Sequence, residues 1–548
     1  DIATALGDYL LNNRPWISGT EVIQGFLNIS LSTDYWSSVL DEMEKDNDFW
    51  KPKQDREKVL VEFASPNTNK PLHLGHIRNI LLGWSTAKIL KLCGHDVSRV
   101  QIINDRGIAI CKSMVAWSDY SNGITPEEAG MKSDHFVGDW YVRFEIEFQK
   151  EYKEWQQSDE AKEIFEKSPD KDLDEVAFFK KYKNQYFNTA SKLGRVAREM
   201  LLKWESNDPD TMALWKRMND WVYKGFDVTY KKLGVEFDKL YYESNTYLLG
   251  KDIIEKGLAQ NVFYKKEDGS VWVDLTDYGL DQKILLRSDG TSVYMTQDMG
   301  TVEKRYEDLG AKRMVYVVAD EQNYHFQALF AIMTKLNTPY AKGLHHLSYG
   351  MVDLPEGKMK SREGTVVDAD DLIDDVIEES RTAAVERELT DPDIIRKIGM
   401  AALKYFIIKV DPKKRMIFDP KASVDLQGQT GPYIQNAFVR IQSILRKAES
   451  KTGSSGAYEP NADEKLLLNM LDQSRQVIDA ASKEYSPALV ANYTYALAKE
   501  YHRYYHEVKV LQAESDEARA FRLRLIKLVA VVLEGTMDLL GIEMPERM

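Results

Sequence analysis

Cysteine is almost absent from the 548-residue sequence, with Cys93 and Cys111 the only two. Two thiols cannot by themselves make a Cys-rich zinc site or a disulfide framework, and such sparing use fits the cytosol. No run of eighteen or more apolar residues occurs, so a membrane span is not supported. The chain opens at Asp1 without an initiator Met, and no charged stretch leads into an apolar one. Nothing there reads as a signal peptide, and the opening is expected to be the remnant of an N-terminal domain of a longer protein. Internal repeats and low-complexity tracts are missing too. So is a surplus of positive charge: the net charge of -14 argues against a surface coated in basic patches. It still leaves room for one local positive track, so RNA binding is not excluded.

What is present is the profile of a soluble globular protein, 43% apolar and 29% charged. The length exceeds what one hydrophobic core supports and suggests three or four domains. Residues 1–50 mix short helical and strand-like pieces, with the breakers Asn12-Asn13-Arg14-Pro15 early on. Val59 to Phe63 reads as a buried strand that ends at the turn signal Ser65-Pro66-Asn67. A loop then leads to a helix opening near His76, with Ile77, Ile80, Leu81, Trp84, Ala87 and Leu90 at helical spacing and Gly94 as its stop. Val97 to Ile103 is a second strand, which makes a βαβ unit of a parallel sheet. Long charged-and-aromatic helical stretches follow, such as 140–155 and 178–204. Val262-Phe263-Tyr264 and Val271-Trp272-Val273 then flank an Asp268-Gly269 hairpin turn. Met314 to Val318 returns to a strand, followed by a helix near Tyr324, so the middle reads as an insertion between two halves of one sheet. Candidate helices at 397–409, 430–448, 464–482, 487–506 and 516–540 form a separate bundle.

Two clusters carry chemistry. His73 and His76 stand three apart in Pro71-Leu72-His73-Leu74-Gly75-His76, where strand hands over to helix, so both imidazoles point the same way. Gly75 leaves room for a ligand, and free N–H groups at the helix start attract phosphate. This describes an anion site outside the carboxyl end of a parallel strand. The bland alternative is a pair of surface or metal-site histidines. Gly357-Lys358-Met359-Lys360-Ser361-Arg362-Glu363-Gly364-Thr365 reads as a loop able to close over polyphosphate, or else as a solvated turn.

With these two clusters in this order, the chain resembles class I aminoacyl-tRNA synthetases, His73 to His76 standing for the HIGH motif and Lys358 to Arg362 for the KMSKS loop. More narrowly it resembles arginyl-tRNA synthetases, through VEFASPNTNKPLHLGHIRN (61–79), INDRG (103–107), SDGTSVYMTQDMG (288–300), DEQNYHFQ (320–327), KMKSREGTVV (358–367) and QGQTGPYIQNAFVRI (427–441). Ser361 departs from the family-wide signature, which has a lysine there; Lys70, just upstream of the histidines, stands where a compensating lysine is found in this family.

The resemblance implies an α/β fold: a Rossmann-like parallel-sheet catalytic domain with a mixed insertion, and an all-helical C-terminal anticodon-binding bundle. The implied division is a partial N-terminal accessory domain for the tRNA corner (1–50), catalytic halves at 51–115 and 301–390, an inserted helical and β-rich region at 116–300, and the bundle at 391–548. It implies an arginine–tRNA ligase that forms arginyl-adenylate from arginine and ATP and passes arginine to the 3′-end of tRNA(Arg). Arginine activation in this family generally needs bound tRNA. The alternative is a catalytically silent tRNA-binding relative. Expected catalytic residues are His73 and His76 as donors, with Lys70, Lys358 and Arg362 as cations. ATP would meet His73, Gly75, His76, Lys358, Met359, Tyr324 and His325. Arginine would meet Glu62, Asn67, Glu243, Tyr294, Asp298 and Gln322, with Asp298, Glu243 and Glu62 reading the guanidinium, which carboxylates meet best in fork geometry. Each has a bland reading as well: Glu62 pairing with a nearby cation, Tyr294 and Asp298 at a hairpin end, Tyr324 and His325 in packing. Phe438 and the band Tyr493, Tyr495, Tyr501, Tyr504, Tyr505 are expected mostly in the core, with a few members facing RNA bases. Mg²⁺ is expected with ATP and no dedicated protein metal site, DNA partner or membrane; the protein is expected to be a cytoplasmic monomer.

Overall fold

The computed structural model describes residues 2–46, 48–52, 56–168, 173–355, 367–385, 389–448 and 458–548. At its centre five strands form a parallel sheet: β1 (Lys58–Glu62), β2 (Asp96–Ile103), β3 (Lys239–Tyr242), β4 (Arg313–Ala319) and β5 (Leu344–Tyr349). Their spatial order is β5-β4-β1-β2-β3. Val59, Leu60 and Val61 of β1 are fully buried. A central parallel strand is covered on both faces, which is why this one reads as an unbroken apolar run. The chain steps outward from β1 to β3 and then returns to the other side of β1 with β4. The crevice between the carboxyl ends of β1 and β4 is therefore the switch point where ligands bind in such sheets.

Helix α1 (Leu74–Leu92) connects β1 to β2 and is buried on all sides. A helix apolar all round has no solvent face; this one lies between the sheet and the C-terminal helices, in one continuous core. A Cβ at Gly83 would collide with the Phe63 ring, so glycine sets the close approach of α1 to β1. Between β2 and β3 the chain is helical, including α2 (Ser133–Gln156) and α3 (Pro209–Leu233). The stretch 178–204 is two helices, Glu175–Thr189 and Lys192–Glu205. Ser191 caps the second by accepting from the Gly194 N–H at 2.8 Å, and Glu151 takes the N–H groups of Lys192 and Leu193. Those caps satisfy the orphan donors of a new helix start.

Strand β3 lies inside the stretch read as one insertion, pairing Lys239–Tyr242 with Val100–Ile103. Beyond it the hairpin Phe263–Lys265 with Val271–Val273 is formed as expected and gains a third strand, Lys283–Leu286. Helix α4 (Tyr294–Leu309) leads into β4, and α5 (Asn323–Lys335) leads from β4 to β5. Tyr294 and Asp298 therefore sit on a helix, not at a hairpin end.

The C-terminal half is helical: α6 (Ala369–Val385), α7 (Pro392–Ile408), α8 (Gly431–Ala448), α9 (Ala462–Glu484), α10 (Pro487–Glu507) and α11 (Asp516–Leu539). Helix α7 starts five residues before the expected 397 because Asp391 caps it and Pro392 fits its first position. Phe438, Tyr493, Tyr501 and Tyr504 are core residues, and Tyr495 is half-buried. Tyr505 is exposed, with the Arg440 guanidinium 5.0 Å from its ring centre. The opening residues make a helix (Ile2–Asn13), a two-stranded hairpin (Ile17–Ile23 with Phe26–Leu31) and a helix (Thr33–Lys45).

Candidate active site

The chain turns out of β1 through Ala64, which takes a left-handed φ of 56°. That conformation costs an L-residue about 1–2 kcal/mol. It is held because the Ala64 N–H donates to Asn79 Oδ1 at 2.6 Å and the Gln101 amide donates to the Ala64 carbonyl. The following loop is sewn to the end of β2. Asn104 N–H donates to the Pro66 carbonyl (2.9 Å), Thr68 N–H donates to the Asn104 carbonyl (3.1 Å), and Asn67 bridges to Asn104. Asn67 is exposed on that loop, over the crevice.

His73 is the N-cap of α1. Its Nδ1 accepts from the Gly75 N–H at 3.1 Å, and the Nδ1 of His76 accepts from the His73 N–H at 3.1 Å. A ring nitrogen that accepts carries no proton, so each neutral imidazole carries its proton on Nε2. Both rings are neutral: burial, helped by the Lys70 charge, lowers His73 to about 4, and burial with the neighbouring His73 and Lys70 puts His76 well below its ordinary value. Their centres are 3.9 Å apart. The result is two adjacent, pre-set N–H donors. This corrects one expectation: two N–H groups at the turn into α1 are taken by the histidines, and the space at Gly75 accommodates the His73 ring, whose Cε1 would lie 3.0 Å from a Cβ there. The Nε2 groups, not those backbone N–H groups, are left to meet an anion. Lys70 is partly buried, and burial lowers its pKa. Lys358, Met359 and Arg362 lie outside the described residues.

The segment 367–369 lies against this corner, with Ala369 N–H donating to the Leu72 carbonyl (3.0 Å) and Leu74 N–H to that of Val367 (3.2 Å). Next to it Asp134, His135 and Asp370 come close enough to hold a metal ion. The Lys132 ammonium already occupies the space between the carboxylates, 2.9 Å from Asp134, 2.6 Å from Asp370 and 2.7 Å from Thr229 Oγ1. Asp368 (3.1 Å) and Asp370 hold His135 protonated, raising it to about 10. The group is an internal ionic network and does not suit a cation.

Across the crevice the site is acidic. Glu243 opens the short helix Glu243–Thr246 after β3. Burial raises its pKa to about 7, the Arg106 charge opposes, and Asp105 and Asp298 add to the rise. On α4, Asp298 accepts from or shares a proton with His325 Nε2 at 2.6 Å. Tyr294, one turn earlier, is 78% exposed, and Gln322 is exposed in the turn after β4. His325, expected at ATP, thus belongs with the acidic group. Tyr324, also expected at ATP, is tied elsewhere: its OH donates to Asp281 at 2.6 Å, and the Lys283 ammonium sits 4.3 Å from its ring centre. Glu62 is not an open receptor either. It is buried against the guanidinium of Arg305 on α4, the bland reading of that residue. Burial raises the Glu62 pKa, Arg305 pulls it down, and Asp298 pushes it up again.

Sequence reasoning missed Arg305, which no spacing announces. It also missed Arg78, fully buried in α1, which donates to the carbonyls of Gly350 (2.6 Å), Asp411 (3.2 Å), Pro412 (3.3 Å) and Lys414 (2.9 Å). That residue fixes the start of α1 to the end of β5 and to the loop after α7. Asp105 and Arg106 lie in the INDRG stretch but were given no role.

A parallel sheet with paired imidazole donors at its switch point fits a class I aminoacyl-tRNA synthetase. The family model described as tRNA synthetases class I (R), catalytic domain, matches residues 38–152 and 130–419, and that of the DALR anticodon binding domain matches 434–548. The chain is 48% identical over 561 residues to the arginine–tRNA ligase of Bacteroides thetaiotaomicron, covering 100% of this chain and 90% of that one. It is 46% identical over 558 residues to that of Flavobacterium psychrophilum, covering 100% and 89%. Its fold superposes on Thermus thermophilus arginyl-tRNA synthetase with a TM-score of 0.77 at 23% identity, covering 100% of this chain and 92% of that one. The chain belongs to the arginyl-tRNA synthetase family.

Proposed function

We propose that the two sides of the crevice divide the work of an arginine–tRNA ligase. The observation that supports this division is the pairing of neutral N–H donors on one side with mutually coupled carboxylates on the other. Glu243 and Asp298 receive the guanidinium, which is planar, always charged and suited to carboxylates. Tyr294, Asn67 and Gln322 complete the hydrogen bonds and orient the amino and carboxylate ends. Glu62 serves from behind, anchoring α4 through Arg305.

An arginine carboxylate oxygen attacks the α-phosphorus of ATP, forming the arginyl-adenylate P–O bond as the bond to pyrophosphate breaks. No protein nucleophile is needed; the step needs alignment and donors where charge develops. His73 and His76 donate through Nε2–H to phosphate oxygens, and Lys70, Lys358 and Arg362 supply positive charge. In the second step a hydroxyl of the 3′-terminal ribose attacks the arginyl carbonyl, and AMP leaves. Mg²⁺ travels with the ATP phosphates, and no side chains are assigned to it.

The tRNA runs from this site to the helices of 391–548, which take the anticodon arm, with 1–50 toward its outer corner. The catalytic halves 51–115 and 301–390 then flank the inserted 116–300. No helix among the described residues is long and apolar enough to cross a membrane. We place the protein in the cytoplasm as a monomer with no DNA partner. The catalytically silent alternative is the weaker reading, because the donor pair and the acidic pair are both in place.

The test is ATP–pyrophosphate exchange with each of the twenty amino acids, with and without tRNA(Arg). Exchange with arginine alone, and only with tRNA, is expected. Exchange with an apolar amino acid, or none with arginine and tRNA in a folded sample, would overturn the reading.

A further inference from the structure

Asp105 is a buried carboxylate that the reaction itself does not call for. It is 1% exposed, just past the end of β2, where burial raises its pKa against the hydrogen bonds from Ser244 and Tyr223, and it adjoins a pocket that is already acidic. Its Oδ1 accepts from the Ser244 N–H at 2.8 Å, and its Oδ2 accepts from the Ser244 hydroxyl at 2.8 Å and the Tyr223 hydroxyl at 3.0 Å. Its own carbonyl is fixed by Trp215 Nε1 at 2.6 Å and by the Asn219 amide at 3.5 Å, both from α3. The carboxylate therefore cannot swing away.

Ser244 is the residue after Glu243, in the first turn of the helix Glu243–Thr246. The N-cap of that helix, Tyr242, makes no side-chain hydrogen bond. A four-residue helix has no cooperative strength of its own, since nucleation is the unfavourable step. Its orientation must come from outside, and Asp105 supplies it by capping from a different strand. On the other flank of Glu243, Arg106 is kept in a seat of its own. Its guanidinium stacks 4.0 Å from the Tyr247 ring centre and 5.2 Å from that of Trp204, and pairs with Glu205 at 2.7 Å. The residue before Asp105, Asn104, holds the Asn67 loop.

We propose that Asp105 is the positioning residue for Glu243: by capping Ser244 from the end of β2, it aims the Glu243 carboxylate at the substrate guanidinium. A neutral amide cap has one acceptor oxygen and could not hold the Ser244 N–H together with the two hydroxyls. A negative one also deepens the potential felt by an arriving cation and leaves Glu243 in need of a positive partner. Asp105 itself touches no substrate. This role rests on the assignment of Glu243 to arginine recognition.

The test compares Asp105→Asn, Glu243→Gln, Ser244→Ala and the double variant Asp105→Asn/Glu243→Gln in tRNA-dependent pyrophosphate exchange, with thermal unfolding alongside. Losing one charge-assisted contact corresponds to about a tenfold or larger change. Asp105→Asn is expected to raise KM for arginine about tenfold, with kcat and KM for ATP within about twofold of the parent. Ser244→Ala should raise the same KM a few-fold and covers the case in which Asp105→Asn folds poorly. The double variant should be no worse than Glu243→Gln, because Asp105 acts through Glu243. A normal arginine KM in Glu243→Gln would remove the site assignment itself. A strong Glu243→Gln effect with Asp105→Asn and Ser244→Ala silent, or with effects that multiply in the double variant, would overturn the positioning role alone. Equal losses in the ATP and arginine constants would mark Asp105 as a general scaffold residue and overturn it as well.

Discussion

In the proposed mechanism His76 carries two functions on two ring nitrogens, and substitution can separate them. Nδ1 receives the His73 N–H at 3.1 Å and closes the cap of α1, while the proton on Nε2 is left for a phosphate oxygen. Asparagine places an amide oxygen near the position of Nδ1 and nothing near Nε2. Glutamine reaches the Nε2 position with an N–H and leaves the cap open. Removing one pre-set donor at a centre of developing charge costs about 2.7–4 kcal/mol, or roughly 10²–10³ in kcat. Losing a helix cap costs about 1 kcal/mol of stability. His76→Asn is therefore expected to unfold like the parent in urea but to exchange pyrophosphate 10²- to 10³-fold more slowly at saturating ATP, arginine and tRNA. His76→Gln should stay within about tenfold of the parent rate and lose about 1 kcal/mol of stability. The reasoning is refuted if His76→Asn exchanges at the parent rate, or if His76→Gln falls as far as His76→Asn.

The buried Glu62–Arg305 pair makes Arg305→Met costly, about 3–5 kcal/mol, because it leaves a carboxylate without its counter-ion; Glu62→Gln added to it should recover most of the loss in urea unfolding, and no recovery would mean the pair is not what holds α4. With Glu243 as the proposed receptor of the guanidinium, its pKa of about 7 links arginine binding to a proton. Below pH 7 an arriving guanidinium must expel a proton, so KM for arginine should rise toward about tenfold per pH unit as pH falls and level off above pH 7. Glu243→Gln should abolish that slope, whereas His73, at about 4, adds no limb between pH 6 and 8; a flat profile in the parent enzyme rejects the linkage.

Local signals were the readable ones. β1 announced itself because a strand covered on both faces needs an apolar run, and Ser65-Pro66-Asn67 marked its end. The C-terminal helices were visible to within a few residues because their buried faces repeat at helical spacing. The break at Ser191 was hidden, since periodicity runs through it and the cap depends partly on Glu151 from another helix. Pairs such as Glu62 with Arg305, Tyr324 with Asp281 and Asp105 with Ser244 join distant stretches that only the strand order brings together. At the histidines the residue types pointed to a phosphate site, and which N–H groups remain free there was settled by the caps. Positions for Lys358, Met359 and Arg362 come from the motif alone.

Helix α1 is a 19-residue rod, roughly 28 Å long at 1.5 Å per residue. One end presents His73 and His76. Farther along, Lys88 pairs with Asp538 at 2.7 Å, and a Cβ at Gly541 would press on Trp84 within 2.9 Å. Such a rod shares its bearings: the seat that steadies the catalytic end is built partly from the last residues of the chain. A truncation that removed α11 and the residues after it would unroof Trp84 and take away one of the supports of the helix that carries the donor pair. The helices that reach toward the tRNA are thus the masonry against which the chemistry is aligned.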